Sequence, residues 1–163
     1  MNVQVSLKSP KFLLSIALIW SLVFSFIVSP IQAKAVQKVT AQQGIVKIAK
    51  QNVGKPYKYG GTTPKGFDAS GFVQYVYNTS SVKTKLPRTV MEQYKKGTSV
   101  KQKNLMAGDL VFFKTSGTKV SFVGIYIGEN KFIAATQSKG VSTVSLATIY
   151  WKDHYVGAKR ILK

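Results

Sequence analysis

Cysteine is absent from this chain, histidine occurs once, and five acidic residues stand against 24 Lys and Arg. Without a thiol there is no disulfide, no thiolate-held zinc or iron–sulfur cluster and no cysteine nucleophile. A single imidazole excludes any mechanism that needs two. The acids are scattered, and His154 keeps none of the close His/carboxylate spacings that bind metals, so neither a metal nor a cofactor is expected. Gly-x-Gly-x-x-Gly and Walker-type strings are missing too, and with them a glycine loop for phosphate.

What the chain has in quantity is positive charge and apolar side chains. Its 163 residues carry a formal net charge of +19, with 45% hydrophobic and 12% aromatic residues. That is too apolar for a disordered chain, and the length suits one ordinary domain. Charge this lopsided repels itself within a compact body and points to an anionic partner. Arginine stands only at positions 88 and 160. A Lys-dominated, distributed field suits diffuse attraction to a polyanion better than bidentate reading of bases, so nucleic acid is not the expected partner.

Met1 to Lys11 carries only Lys8 and Lys11 as charges, and Phe12 to Val28 is an unbroken run of apolar residues and Ser. Ser29-Pro30 and then Ala33-Lys34-Ala35 follow, the latter with the small-x-small pattern of a signal-peptidase site. Residues 1–35 are therefore expected to be an export signal cleaved after Ala35. A retained membrane anchor is the alternative. Residues 36–163 are expected to form a single exported domain, secreted or held at the cell wall.

Within that domain, Ile45, Val46, Ile48, Ala49 and Val53 fall at helical spacing, predicting a helix over Val39–Val53 that stops at Gly54 and Pro56. Pro56 to Phe67 reads as an ordered loop. Asp68 to Tyr77 restores a helical stripe, with Asp68 suited to cap it. Thr89 and Glu92 have the spacing of a capping box, and Gly97 ends the short helix they open. Beyond Lys103 the segments Leu110–Lys114, Lys119–Ile127, Lys131–Thr136, Val141–Leu146 and His154–Leu162 read as strands. Helices first and closely spaced strands afterwards predict an α+β fold, its amino-terminal helices packed on a mostly antiparallel sheet of about five to six strands.

Six blocks carry a more specific signal: Gly54–Gly61, Pro64–Val73, Leu86–Thr89, Ala107–Phe113, Val123–Gly128 and Tyr155–Leu162. In content and order they resemble the NlpC/P60 family of cell-wall cysteine endopeptidases, over nearly all of Ile45 to Leu162. The resemblance implies a papain-like α+β fold. It also implies hydrolysis of the D-glutamyl–diamino-acid bond in peptidoglycan stem peptides.

Active members of that family carry the cysteine nucleophile at the position of Ala69, where a helix amino terminus lowers the thiol pKa. They carry a general-base His at the position of Phe122 and a polar orienting residue at that of Ala134. All three positions here hold inert side chains. Ser70 lacks an imidazole partner and reads as an ordinary alcohol. His154 matches neither catalytic position and reads as an exposed or capping residue. Tyr57 and Tyr59 lie in the segment that borders the cleft in the family. With Asp68 and Ser70 they are the candidate groove-binding residues.

Because members of a catalytic triad act as a unit, the sequence leads to the expectation of a secreted, non-catalytic pseudoenzyme. It would bind peptidoglycan stem peptides or anionic wall polymers such as teichoic acid. A regulator or inhibitor of an active cell-wall hydrolase is one alternative. An active D-glutamyl–diamino-acid endopeptidase, as the resemblance implies, is the other.

Overall fold

The computed structural model describes residues 30–162. The chain divides into two units, Met1–Lys34 and Ala35–Lys163. The expected apolar export segment lies almost wholly outside the described residues.

Helix α1 (Pro30–Gln51) begins nine residues before the expected Val39, so that Ala33–Ala35 is helical. Part of the stripe that the spacing predicts is its core face: Ile45 and Ala49 are fully buried and Ile48 packs beside them, whereas Val53 lies past the helix end and is 45% exposed. The helix ends where the Asn52 Nδ2 donates to the Ile48 carbonyl at 2.8 Å. The chain then lies along the sheet edge, the Gly54 amide donating to the Val141 carbonyl at 2.8 Å.

The loop after α1 contains a two-stranded ribbon, β1 (Thr62–Thr63) and β2 (Gly66–Phe67), too short to be seen as strands in the sequence. Helix α2 (Ala69–Thr79) follows with Asp68 as its cap, and buries Phe72, Val73, Val76 and Tyr77. Helix α3 (Val90–Tyr94) opens on the expected capping box: the Glu92 amide donates to Thr89 Oγ1 at 3.3 Å, and the Thr89 amide reaches Glu92 Oε2 at 3.4 Å.

Strands β3 (Thr98–Val100), β4 (Leu110–Phe113), β5 (Phe122–Gly128), β6 (Lys131–Thr136), β7 (Gly140–Ser145) and β8 (Tyr155–Arg160) form one sheet. Its order is β3-β8-β4-β5-β6-β7, and every pairing is antiparallel. Three features depart from the sequence reading. Strand β3 lies before Lys103, where no strand was expected. Strand β5 starts at Phe122 rather than Lys119, because the Ser121 hydroxyl accepts from the Thr115 and Ser116 amides and folds the preceding residues into a loop. A short helix, α4 (Ile149–His154), fills a stretch for which no element was expected and takes in His154, so that the last strand opens at Tyr155.

The sheet is covered on both faces, which explains why β4 and β6 are apolar nearly throughout. On one face Leu110, Phe112, Val123, Ile125, Ile133 and Ala135 pack against α1 and α2. On the other, Val111, Phe113, Tyr126, Phe132, Ala134 and Ala158 pack with Leu146 and Trp151. Strand β8 is locked to the start of β4 by a two-pronged ion pair: Arg160 Nε and Nη2 donate to the buried Asp109 carboxylate at 2.8 and 2.7 Å. Paired and buried in this way, a charge is stabilised rather than stranded.

Candidate functional site

Asp68 organises the amino terminus of α2. Its Oδ1 accepts from the Gly71 amide at 2.7 Å, the cap bond that the spacing foretold. The same oxygen accepts from Ser70 Oγ at 3.2 Å and from Arg88 Nη1 at 3.0 Å. Its Oδ2 takes the second arm of Arg88 and the Gly60 amide at 3.0 Å. One carboxylate thus joins three pieces of chain: the helix, the Tyr59–Gly60 loop and the Leu86–Thr89 segment. Burial works to raise the Asp68 pKa, but the Arg88 bonds, the Gly71 amide and Ser70 together hold it below the usual carboxylate value. The bond to Asp68 correspondingly raises the pKa of Arg88.

Arg88 also donates to Ser70 Oγ at 2.9 Å. Ser70 is buried, so its hydroxyl is held between a guanidinium and a carboxylate. Beneath it, the fully buried Gln93 donates through Nε2 to the Ser70 carbonyl at 3.0 Å and the Pro87 carbonyl at 2.8 Å. Neither Arg88 nor Gln93 was singled out from the sequence as a site residue. An arginine in a chain whose cations are nearly all lysine was the available signal for the first. Gln93 carried none, since helical spacing does not distinguish a buried carboxamide from an exposed one.

The two tyrosines part company. Tyr57 is half-buried, forms an isolated parallel bridge with Phe67 and packs on the first core. Tyr59 is 88% exposed, on the loop that Asp68 anchors through the Gly60 amide. It is the groove candidate that faces solvent.

Ala69 is the first residue of α2 and is 8% exposed, belonging to the first core. Ala134 is fully buried in the second core. Phe122 packs against both, at the start of β5. Its ring is 5.0 Å from Trp151 and 6.1 Å from Phe113. His154 is joined to that group through Tyr150: its ring stacks on Tyr150 at 4.3 Å, and its Nδ1 lies 2.7 Å from the Tyr150 carbonyl oxygen. Two cavities, of 630 and 460 Å³, flank α1 instead and include none of the candidate site residues.

Comparison with known proteins bears on what this frame is for. The chain is 44% identical over 158 residues to the γ-DL-glutamyl hydrolase of Bacillus subtilis (strain 168), covering 93% of this chain and 36% of that protein. It is 42% identical over 117 residues to murein DD-endopeptidase MepH of Escherichia coli (strain K12), covering 69% of this chain and 43% of that protein. The chain therefore spans between about a third and a half of the length of these relatives. Among solved structures, an NlpC/P60 family protein from Bacillus cereus ATCC 10987 superimposes with a TM-score of 0.71 at 32% identity, over 76% of this chain and 41% of that one.

These relatives correct the expectation, drawn from Ala69, Phe122 and Ala134, of a non-catalytic wall-binding protein that is not an enzyme. Proteins 41 to 48% identical to this chain carry the names of hydrolases and endopeptidases. The alternative of a peptidoglycan endopeptidase is the reading they favour. With the α+β fold in place and the family model matching residues 54–160, the chain belongs to the NlpC/P60 family.

Proposed function

We propose that this chain acts on peptidoglycan as a hydrolase of its stem peptides, with a glutamyl amide as the bond class. The observation that carries this reading is the frame at the α2 amino terminus: Asp68, Ser70 and Arg88 bonded together beneath the exposed Tyr59, in a chain 44% identical to a glutamyl hydrolase. A helix amino terminus favours developing negative charge, as a carbonyl oxygen acquires when its carbon is attacked. The side chains at 69, 122 and 134 supply neither a thiol nor an imidazole. Hydrolysis at this site draws on the polar groups in place and on water, with Ser70 the hydroxyl nearest the helix terminus.

The test is digestion of purified peptidoglycan by the full chain, with soluble products resolved by mass spectrometry. The expected result is fragments bearing new amino termini on the diamino acid, reduced by Ser70→Ala and absent with heat-unfolded protein. Release no greater than with unfolded protein overturns the hydrolytic reading.

Export places the protein at this substrate, a reading supported by the apolar run Phe12 to Val28 behind Lys8 and Lys11. The +19 charge favours anionic wall polymers such as teichoic acid as a second partner. Co-sedimentation with walls before and after removal of teichoic acid tests this. Binding by charge alone falls steeply as the Debye length shrinks from about 10 Å at 0.1 M salt to about 3 Å at 1 M.

A further inference from the structure

The face of the sheet away from α1 and α2 carries a row of aromatic rings that the reading above does not use. Phe122 lies 5.0 Å from Trp151, tilted by 35°. Trp151 lies 5.0 Å from Tyr150 at right angles, and Tyr150 stacks on His154. Beneath the row, the fully buried Phe113 and Phe132 sit 4.9 and 5.1 Å from Trp151 in edge-to-face contacts. Trp151 thus fastens α4 to the core, while its neighbour Tyr150 remains 50% exposed and Ile149 78% exposed. Offset and perpendicular packing of this kind holds the rings in fixed orientation.

His154 covers one face of Tyr150; the rest of the row is apolar and its margins, where Thr148, Lys152 and Asp153 are all exposed, are polar. An apolar protein surface laid over it would strip water from Lys152 and Asp153 without replacing it, which is costly. A pyranose ring has the complementary division: C–H groups on its face, hydroxyl and acetamido groups around its rim. Phe122, which packs against both cores, links the row to the core beneath α2.

We propose that Tyr150, with Trp151 and Phe122 behind it, binds the amino-sugar rings of the glycan strand from which the stem peptide hangs. This rests on the peptidoglycan reading and adds a second contact to it: peptide at the α2 amino terminus, sugar on α4.

The test measures binding of the full-length chain to two separate probes, an N-acetylglucosamine tetramer without peptide and a free stem tripeptide, by calorimetry and saturation-transfer NMR. The expected result is saturable tetramer binding, with saturation transfer strongest to the sugar C–H protons. Tyr150→Ala should weaken it by about fivefold to tenfold, and Tyr150→Phe, which keeps the ring, should leave it nearly unchanged. Because Tyr150 is half-exposed, both variants should fold, as far-ultraviolet circular dichroism would verify. Tetramer binding unaffected by Tyr150→Ala overturns the proposal. So does a wild-type chain that binds the tripeptide and ignores the tetramer, an outcome that leaves the peptidoglycan reading standing. Tetramer binding that depends on Tyr150, with no tripeptide binding, supports the sugar site while removing the peptide contact.

Discussion

Gln93 ties Ser70 to Pro87: one buried amide nitrogen donates to both carbonyls, at 3.0 and 2.8 Å. Since Ser70 lies in the first turn of α2 and Pro87 precedes Arg88, this residue sets the distance over which the guanidinium must reach Asp68. The Gln93 Oε1 has no hydrogen-bond partner, so the side chain serves through its donors.

Gln93→Leu keeps the volume and removes both bonds, leaving the Pro87 carbonyl without its donor while the Ser70 carbonyl, inside α2, keeps its place in the helix ladder. The expected loss of stability is about 1–2 kcal/mol, read from the urea midpoint. Gln93→Glu should cost more at neutral pH, because its carboxylate oxygens face two carbonyl oxygens, and should recover partly as the pH falls and the group protonates. A Leu variant as stable as the parent would show that the two bonds contribute nothing net.

The Asp68–Arg88 pair gives a pH prediction with a definite sign. The folded-state pKa of Asp68 lies below its unfolded value, about 3.9 for an aspartate. Its contribution is therefore complete above about pH 4 and is lost as pH falls through the lower, folded value. Arg88→Gln removes the charge and most of the hydrogen bonding, so the Asp68 titration should move upward and acid unfolding should begin at higher pH. Carbon-detected NMR of the Asp68 carboxyl checks this. An unmoved midpoint would mean that the Gly71 amide and Ser70 alone depress the pKa. The Arg88 side chain is 38% exposed, so solvent screens the pair and the effect on neutral-pH stability should be small.

Gly71 is the point where helix and loop approach most closely. A Cβ built there would lie 2.1 Å from the Gly61 carbonyl oxygen, a backbone atom that cannot swing aside. Gly71→Ala must push the Tyr59–Gly61 loop off α2, breaking the Asp68 amide bond to the Gly61 carbonyl as well. We expect a loss of about 3 kcal/mol, the upper end of what overpacking typically costs, and faster proteolysis within the loop. A variant with the parent's thermal midpoint would contradict the close approach.

How far the sequence reveals this structure depends on how local the determinant is. The Asp68 cap, the Thr89–Glu92 box and the stripes of α1 and α2 are set within a few residues, and each forms where the spacing puts it. Strand β3 is three residues long and exists because β8 pairs with it, a partner some sixty positions away. Helix α4 falls between the expected strands, in a stretch too short and too aromatic to show helical spacing; the half-buried Trp151, packed on Phe113, Phe122 and Phe132, fixes it there. At the site, Asp68 and Ser70 were legible from the block they occupy. Arg88 became a site residue only once the fold brought it back to Asp68, and the division between Tyr57 and Tyr59 depends on which ring the core accepts.

A cysteine-free chain allows one further measurement on the site itself. Ala69→Cys would create the protein's sole thiol, so every reaction with a disulfide reagent reports position 69. Three influences compete there. Burial, with position 69 at 8% exposure, and the adjoining Asp68 carboxylate both oppose a thiolate. The amino terminus of the eleven-residue α2 favours one. The carboxylate is largely compensated by Arg88, which binds both of its oxygens. The helix terminus should then prevail, giving a thiol that titrates below the ordinary value of about 8.5. The rate of reaction with the reagent as a function of pH should show that midpoint. Adding Arg88→Gln should raise it again by exposing the thiol to an uncompensated Asp68. A midpoint at or above the ordinary value, unmoved by Arg88→Gln, would mean that burial governs the position and that the field of α2 does not reach it.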